Sequence, residues 1–190
     1  MIPFPQKSYK IIYADPPWKY NDQAGKRGAS AKYLVQNNDW IANLPVKDIS
    51  LDDSFLFIWV TMPLLPDIFN IIKSWGPDYK TVAFVWVKQN RSSHPWQASW
   101  FWGMGHYTRA NAELCLLGIK GKPKIINNDV HQIISTPIGK HSEKPNEARK
   151  RIIRLCGDLP RIELFSRQEY PGWDSWGNEV SPVSKLGFNL

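Results

Sequence analysis

Apolar and polar positions alternate between short dense runs and a looser spacing of three and four. Tyr9–Ala14 (YKIIYA) is an apolar run that stops at Asp15, and Phe55–Val60 (FLFIWV) carries no charge. Thr81–Val87 (TVAFVWV), Glu113–Ile119 (ELCLLGI) and Arg161–Phe165 (RIELF) are of the same kind. Runs this short and this apolar predict buried strands. Between them Leu65, Ile68, Phe69, Ile72 and Trp75 recur at helical spacing, and Gly76 suits the stop. A second helix is predicted with Ser142 as its cap and Pro145 in its first turn. It places Ala148, Ile152, Leu155 and Cys156 on one face, and Gly157 ends it. Strands alternating with helices predict an α/β fold with a largely parallel sheet. Ligands of such sheets bind beyond the carboxyl ends of the strands, so the residues just after each strand are the ones to inspect.

Two stretches fit neither pattern. Residues 19–36 (KYNDQAGKRGASAKYLVQ) are polar and contain glycine. Residues 89–110 have no clear period yet hold Trp96, Trp100, Phe101, Trp102 and Tyr107. A loop of that length in a small domain is usually functional. Stacking of nucleobases is one use for its aromatic rings, worth about 1–3 kcal/mol per base; a satellite hydrophobic cluster is the other.

Composition sharpens this reading. The chain has 190 residues, which suits one domain over 1–190, and 10 of them are tryptophan. Lys plus Arg is 24 against 17 Asp plus Glu, giving a net charge of +7 and a pI of about 9.4. A basic, aromatic-rich domain points first to nucleic acid as partner. No apolar run approaches the roughly 18 residues that span a bilayer, so no membrane partner is expected. The start, Met1-Ile-Pro-Phe-Pro, lacks the pattern of a signal peptide. Two cysteines, Cys115 and Cys156, and four scattered histidines make neither a disulfide framework nor a metal-ligand spacing. The expected setting is reducing and cytoplasmic, with no metal.

The chemistry-bearing motif follows the first strand: Asp15-Pro16-Pro17-Trp18. The exocyclic amine of adenine is a poor nucleophile, because its lone pair is delocalised into the ring. A catalyst must hold it with acceptors that draw the nitrogen toward tetrahedral geometry. Asp15 supplies one acceptor and the Pro16 carbonyl a second. Pro16 and Pro17 have no N–H to donate and make a rigid turn. Trp18 offers a face on which a purine can stack. A strand-terminating turn is the plainer reading of the same four residues.

With these residues in view, the sequence resembles the adenine methyltransferases typified by the catalytic subunit of the eukaryotic messenger-RNA N6-adenosine methyltransferase, with its bacterial and phage relatives. The resemblance runs through YADPPW (Tyr13–Trp18), FLFIWVT (Phe55–Thr61), WVK (Trp86–Lys88) and AELCLLGIKG (Ala112–Gly121). It continues through HSEKP (His141–Pro145), RIELFSR (Arg161–Arg167) and GWDSWGNE (Gly172–Glu179). It implies a Rossmann-like, S-adenosylmethionine-dependent methyltransferase sheet of permuted order, with the catalytic motif first and the cofactor region C-terminal. It implies methyl transfer to the N6 amine of adenine, with Asp15, Pro16, Pro17 and Trp18 as the catalytic set. Lys144 matches the lysine near the methionine carboxylate of S-adenosyl-L-methionine, and a first-turn position suits an anion site. Arg167 matches a ribose-contacting arginine, while Asn178 and Glu179 match an Asn-Gln pair on the adenine and ribose. Glu179 for Gln is a departure, since a carboxylate accepts from a hydroxyl but cannot donate. Ser166 stands where relatives often carry Gly, and Glu169 near where some carry His.

The substrate contacts expected from the two loops are Lys19, Lys26, Arg27, Lys32, Arg91 and Arg109 on phosphates, with Trp100 and Trp102 on bases. A compact chain resembles the bacterial and phage members, which mostly modify DNA, so DNA comes before RNA. The alternatives are an RNA N6-adenosine methyltransferase and a non-catalytic nucleic-acid-binding partner subunit of the same fold. Homodimer or partner subunit is left open.

Overall fold

The structure is a computed structural model that describes residues 3–19, 36–91, 99–103, 105, 107–140 and 142–180. Among these residues lies one seven-stranded sheet. Its strands are β1 (Tyr9–Ala14), β2 (Ser50–Val60), β3 (Asp78–Gln89), β4 (Ala112–Lys120), β5 (Ile133–Pro137), β6 (Arg161–Leu164) and β7 (Asp174–Trp176), in the order β5-β3-β4-β2-β1-β6-β7. Six strands run one way. β4 runs against both its neighbours, pairing antiparallel with β2 and β3. The expected largely parallel sheet is therefore present, with one reversed strand in its middle.

β1 is buried on both faces, as a strand with helices above and below must be. Ile12 and Ala14 pack with Leu56, Ile58 and Val60 of β2 against helices α1 (Asn38–Ala42), α2 (Val46–Ile49) and α3 (Leu65–Ser74). Ile11 and Tyr13 face the other way. They join Phe55, Phe57, Trp59, Phe84 and Trp86 under helix α4 (Asn146–Cys156), which contributes Ala148, Ile152 and Cys156. The result is a three-layer α/β/α arrangement of the Rossmann-like methyltransferase kind. Each fully buried large side chain contributes about 1.5–3 kcal/mol.

Several expected boundaries move. β2, β3 and β4 extend past the apolar runs at their ends, because ladder bonds continue where side chains become polar. β6 ends at Leu164, since Phe165 adopts a left-handed φ of 64°. The Phe165 ring instead lodges between Trp40 and Trp176. In α3 the buried face is Ile68, Ile71 and Ile72, continued by Trp75 just past its end, whereas Phe69 turns outward to meet Tyr79 edge-on at 5.0 Å. Ser142 does not cap α4. Pro145 occupies the N-cap position, and a residue preceding proline is disfavoured in the helical region. Lys144 therefore stands just before the helix and not in its first turn. α1, α2, β5 and β7 are elements that the hydrophobic pattern did not predict.

The layer beneath α4 contains a buried ion pair. Arg149 donates from Nε and Nη2 to both oxygens of Glu163, at 2.7 and 2.6 Å. Its guanidinium also stacks on Tyr170 at 3.5 Å. The pair ties α4 to β6 two residues below the level of Asp15, because Glu163 is in register with Tyr13. Removing one partner of such a pair leaves an uncompensated buried charge, whereas replacing both by apolar groups does not. Arg149→Ala is expected to lower the unfolding free energy by about 3–5 kcal/mol. The joint change Arg149→Met with Glu163→Leu should leave it near the wild-type value or above, as measured by urea unfolding.

Candidate active site

The reversed β4 decides which residues meet. Asp15 follows the carboxyl end of β1, Lys88 lies at the carboxyl end of β3, and Arg167 follows β6. Glu113 sits at the start of β4, and because that strand is reversed its start lies at this same edge. Lys144 comes to the edge from the segment before α4. Its ammonium donates to Asp15 Oδ2 at 2.7 Å and lies 3.3 Å from Glu113 Oε2. Lys88 Nζ completes the row at 2.5 Å from Glu113 Oε1. Two carboxylates and two ammonium groups thus alternate across three strands and one loop.

The row rests on an aromatic floor. Lys144 Nζ lies 5.8 Å from the centre of the Trp59 ring, and Lys88 Nζ 4.9 Å from that of Trp86. Trp59 donates from Nε1 to the Tyr13 hydroxyl at 2.7 Å, and Trp86 to Thr136 Oγ1 at 2.9 Å. Burial pushes the Asp15 carboxyl above its ordinary value; Lys144 and Arg167 offset part of this and Glu113 adds to it. Burial also works against the Glu113 carboxylate, but Lys144 and Lys88 outweigh it and hold that carboxyl below the usual range. For Lys144, burial favours the neutral amine, yet Asp15 and Glu113 prevail and keep it charged.

The Asp15-Pro16-Pro17-Trp18 segment forms a tight turn in which the Trp18 N–H donates to the Pro16 carbonyl at 2.9 Å. That carbonyl retains a second lone pair. Gln36 returns to the turn, donating to the Pro17 carbonyl and accepting from the Lys19 N–H. The Trp18 side chain differs from expectation. It is only 6% exposed, packs in the core with Ile58 and Val60, and donates from Nε1 to the Trp59 carbonyl. In this conformation it anchors the turn and presents no open face to a base.

The other predicted residues are distributed as follows. Arg167 lies 3.9 Å from Glu179 Oε1, and Asn178 and Glu179 are exposed just beyond β7. Of the acids nearby, Glu163 holds Arg149, and Asp174 accepts from Lys7 and Tyr9. The Ser166 hydroxyl donates to the Gln168 carbonyl, and its N–H pairs with Trp176. A methyl group on Gly177 would run into the Ser166 backbone, so glycine lets the β6 and β7 tips approach. Arg91 binds the carbonyls of Ile138 and Gly139, a bracing contact where a phosphate contact was expected. Lys19 and Arg109 are exposed, and Trp100 and Trp102 are 50% and 74% exposed. Trp173 and Trp176, in the Gly172–Glu179 segment, are buried core residues. Lys26, Arg27, Lys32, Trp96 and His141 lie outside the described residues. Lys88 and Glu113 went unrecognised as site residues, although each is a charge at the end of an apolar strand.

An open α/β sheet whose polar residues gather at the carboxyl edge, around an acidic turn after its first strand, has the architecture of a methyltransferase. The MT-A70 family profile matches residues 9–179, and the chain belongs to that family. It is 36% identical to the type II methyltransferase M.MunI of a Mycoplasma species, over 96% of this chain and 82% of that protein. It is 30% identical to the N(6)-adenosine-methyltransferase catalytic subunit METTL3 of Homo sapiens, over 94% of this chain but 29% of that protein. With the N(6)-adenosine-methyltransferase MT-A70-like protein of Arabidopsis thaliana the identity is 28%, over 96% of this chain and 25% of that protein. The chain thus spans most of the bacterial relative and under a third of the eukaryotic ones.

The charge row sets a pH signature. Without Lys144, Asp15 and Glu113 repel each other and both carboxyls rise. Groups whose folded pKa is raised regain stability as pH falls through that value. Lys144→Met is therefore expected to cost about 3 kcal/mol at pH 8 and clearly less at pH 5, as read from urea midpoints at the two pH values.

Proposed function

We propose that this protein transfers a methyl group from S-adenosyl-L-methionine to the exocyclic N6 amine of adenine in nucleic acid, with DNA as the substrate. The observation that carries the reading is the acceptor pair. The Asp15 carboxylate and the free lone pair of the Pro16 carbonyl stand on one rigid turn at the carboxyl edge, backed by a charged lysine.

The donor set suits the cofactor chemically. Lys144 can pair with a carboxylate, Glu179 can accept from ribose hydroxyls, Arg167 stands beside it, and the Asn178 amide can both donate to and accept from an adenine edge. When bound, the cofactor supplies an electrophilic methyl group on a sulfonium. The chain's own part is placement and electrostatics. Asp15 and Pro16 receive the two amine N–H groups and orient the nitrogen lone pair. Asp15 needs no strong basicity, since the amine proton becomes acidic only as the methyl transfers. The aromatic floor and the buried row exclude water from the space behind the amine. A base within a duplex must be flipped out to reach this edge, at a cost of a few kcal/mol. Exposed Trp100, Trp102, Lys19 and Arg109 are suited to hold its strand, and Lys26 and Arg27 belong to the same proposal.

DNA is favoured because the chain is 36% identical to the type II methyltransferase M.MunI and covers 82% of it. The match to METTL3 keeps RNA as the second reading. Labelled cofactor with matched DNA and RNA oligonucleotides, single- and double-stranded, followed by digestion to nucleosides, separates them. The expected label is N6-methyladenine in DNA; its absence from all four substrates would overturn the proposal. Asp15→Ala should abolish transfer and leave cofactor binding within a few-fold by calorimetry, whereas loss of both would make the residue structural. Nucleic-acid affinity should fall steeply with salt, by about 0.7–0.9 log units per tenfold salt for each phosphate contacted. A flat dependence would remove the phosphate contacts.

A further inference from the structure

Lys88 stands outside the acceptor pair and the cofactor set, yet it is the node of this edge. Its backbone N–H donates to the Asn111 carbonyl at 2.8 Å, and its carbonyl accepts from the Phe101 N–H at 2.9 Å. These bonds anchor the aromatic segment, which connects β3 to β4. Its side chain lies along Trp86 and ends on Glu113, 2.5 Å away. Glu113 in turn competes with Asp15 for Lys144.

We propose that Lys88 is a positioning residue that, by holding Glu113, sets how Lys144 is shared between the two carboxylates and so keeps Asp15 an ionised acceptor for the substrate amine. The role given to Asp15 rests on the proposed function; the sharing of Lys144 does not. The physical argument is charge balance. Lys88 and Lys144 together neutralise Glu113 and Asp15. Without Lys88, the full charge of Glu113 falls on Lys144 and draws it away from Asp15. The Asp15 carboxyl then loses its counter-ion and gains an unscreened like charge, and both changes raise its pKa. Removing the charge of Glu113 has the opposite effect, because Lys144 then belongs to Asp15 alone. The charged and titratable groups facing Asp15 are Lys144, Glu113, Arg167, Glu163 and the Cys115 thiol. The substitutions change only the first two of these relations.

The test follows the Asp15 carboxyl carbon by 13C NMR in the ligand-free protein, assigned by its loss in Asp15→Asn. Lys88→Met should move its titration up by about one pH unit, and Glu113→Gln should move it down. Lys88→Arg should restore the wild-type midpoint. The double variant Lys88→Met with Glu113→Gln leaves no orphan charge and should titrate like Glu113→Gln alone, which keeps the test open should Lys88→Met not fold. The acid limb of the kcat/KM profile should shift in the same directions. Nucleic-acid affinity should stay within about twofold, because the backbone bonds of residue 88 are retained. An unmoved Asp15 midpoint in folded Lys88→Met, or a double variant that differs from Glu113→Gln, overturns the proposal. Absence of methyl transfer by the wild type, with the NMR shifts as expected, overturns the proposed function and leaves the sharing of Lys144 standing.

Discussion

The contact between Lys144 and Asp15 joins two parts of the chain that are 129 residues apart in sequence and sets what the rest of the edge must supply. The ammonium of a lysine that is only 8% exposed carries a desolvation cost that one carboxylate offsets only with good geometry and further partners. Glu113 is the further partner, and Lys88 balances Glu113. This solution requires the start of β4 to lie where the other strands end. Had β4 run parallel to its neighbours, Glu113 would have emerged at the opposite edge of the sheet. The antiparallel β3–β4 pair is thus what makes a charged lysine tolerable at this depth. Its long connection also delivers the aromatic segment to the same edge.

Sequence pattern revealed the strands that are apolar on both faces, and for a physical reason. β1, β2 and β4 lie between helical layers, so selection for burial acts on every residue and leaves a continuous run. β5 and β7 gave no such signal. β5 is an edge strand whose Ile133, Ser135 and Pro137 are exposed, and β7 has three residues. The short helices α1 and α2 escaped because four or five residues are too few to show a period. Trp40, unplaced by pattern, packs on Phe165 through a left-handed backbone turn that no propensity predicts.

The candidate site divides in a similar way. Asp15 and Pro16 were legible because a carboxylate and paired prolines at a strand end are an unusual local combination. Lys144 was legible only through family resemblance, since its ion partners lie on other strands. Glu113 and Lys88 were visible as charges closing apolar runs, but their pairing depends on strand direction, which periodicity does not encode. Arg91 shows the limit from the other side. A basic residue at the base of an aromatic loop suggested a phosphate contact, yet the backbone carbonyls of Ile138 and Gly139 are its partners. Basic composition marks where charge is available and does not say what it holds.

The tryptophan excess illustrates how packing and chemistry combine. Trp18, Trp59, Trp75, Trp86, Trp173 and Trp176 are all buried, so most of the 10 serve the core. Five of them are nevertheless not inert filler. Trp18, Trp59, Trp75, Trp86 and Trp176 turn their indole N–H groups to internal acceptors. Trp59 and Trp86 lie beneath the ammonium groups of Lys144 and Lys88. An apolar floor lowers the local dielectric and strengthens the pairing above it. The quadrupole of each ring adds attraction for the cation that lies over it. Leucine at 59 or 86 would fill part of the volume, but it would remove both the cation contact and the buried N–H bond. Tryptophans that belong to the packed core are thus also what steadies a row of buried charges.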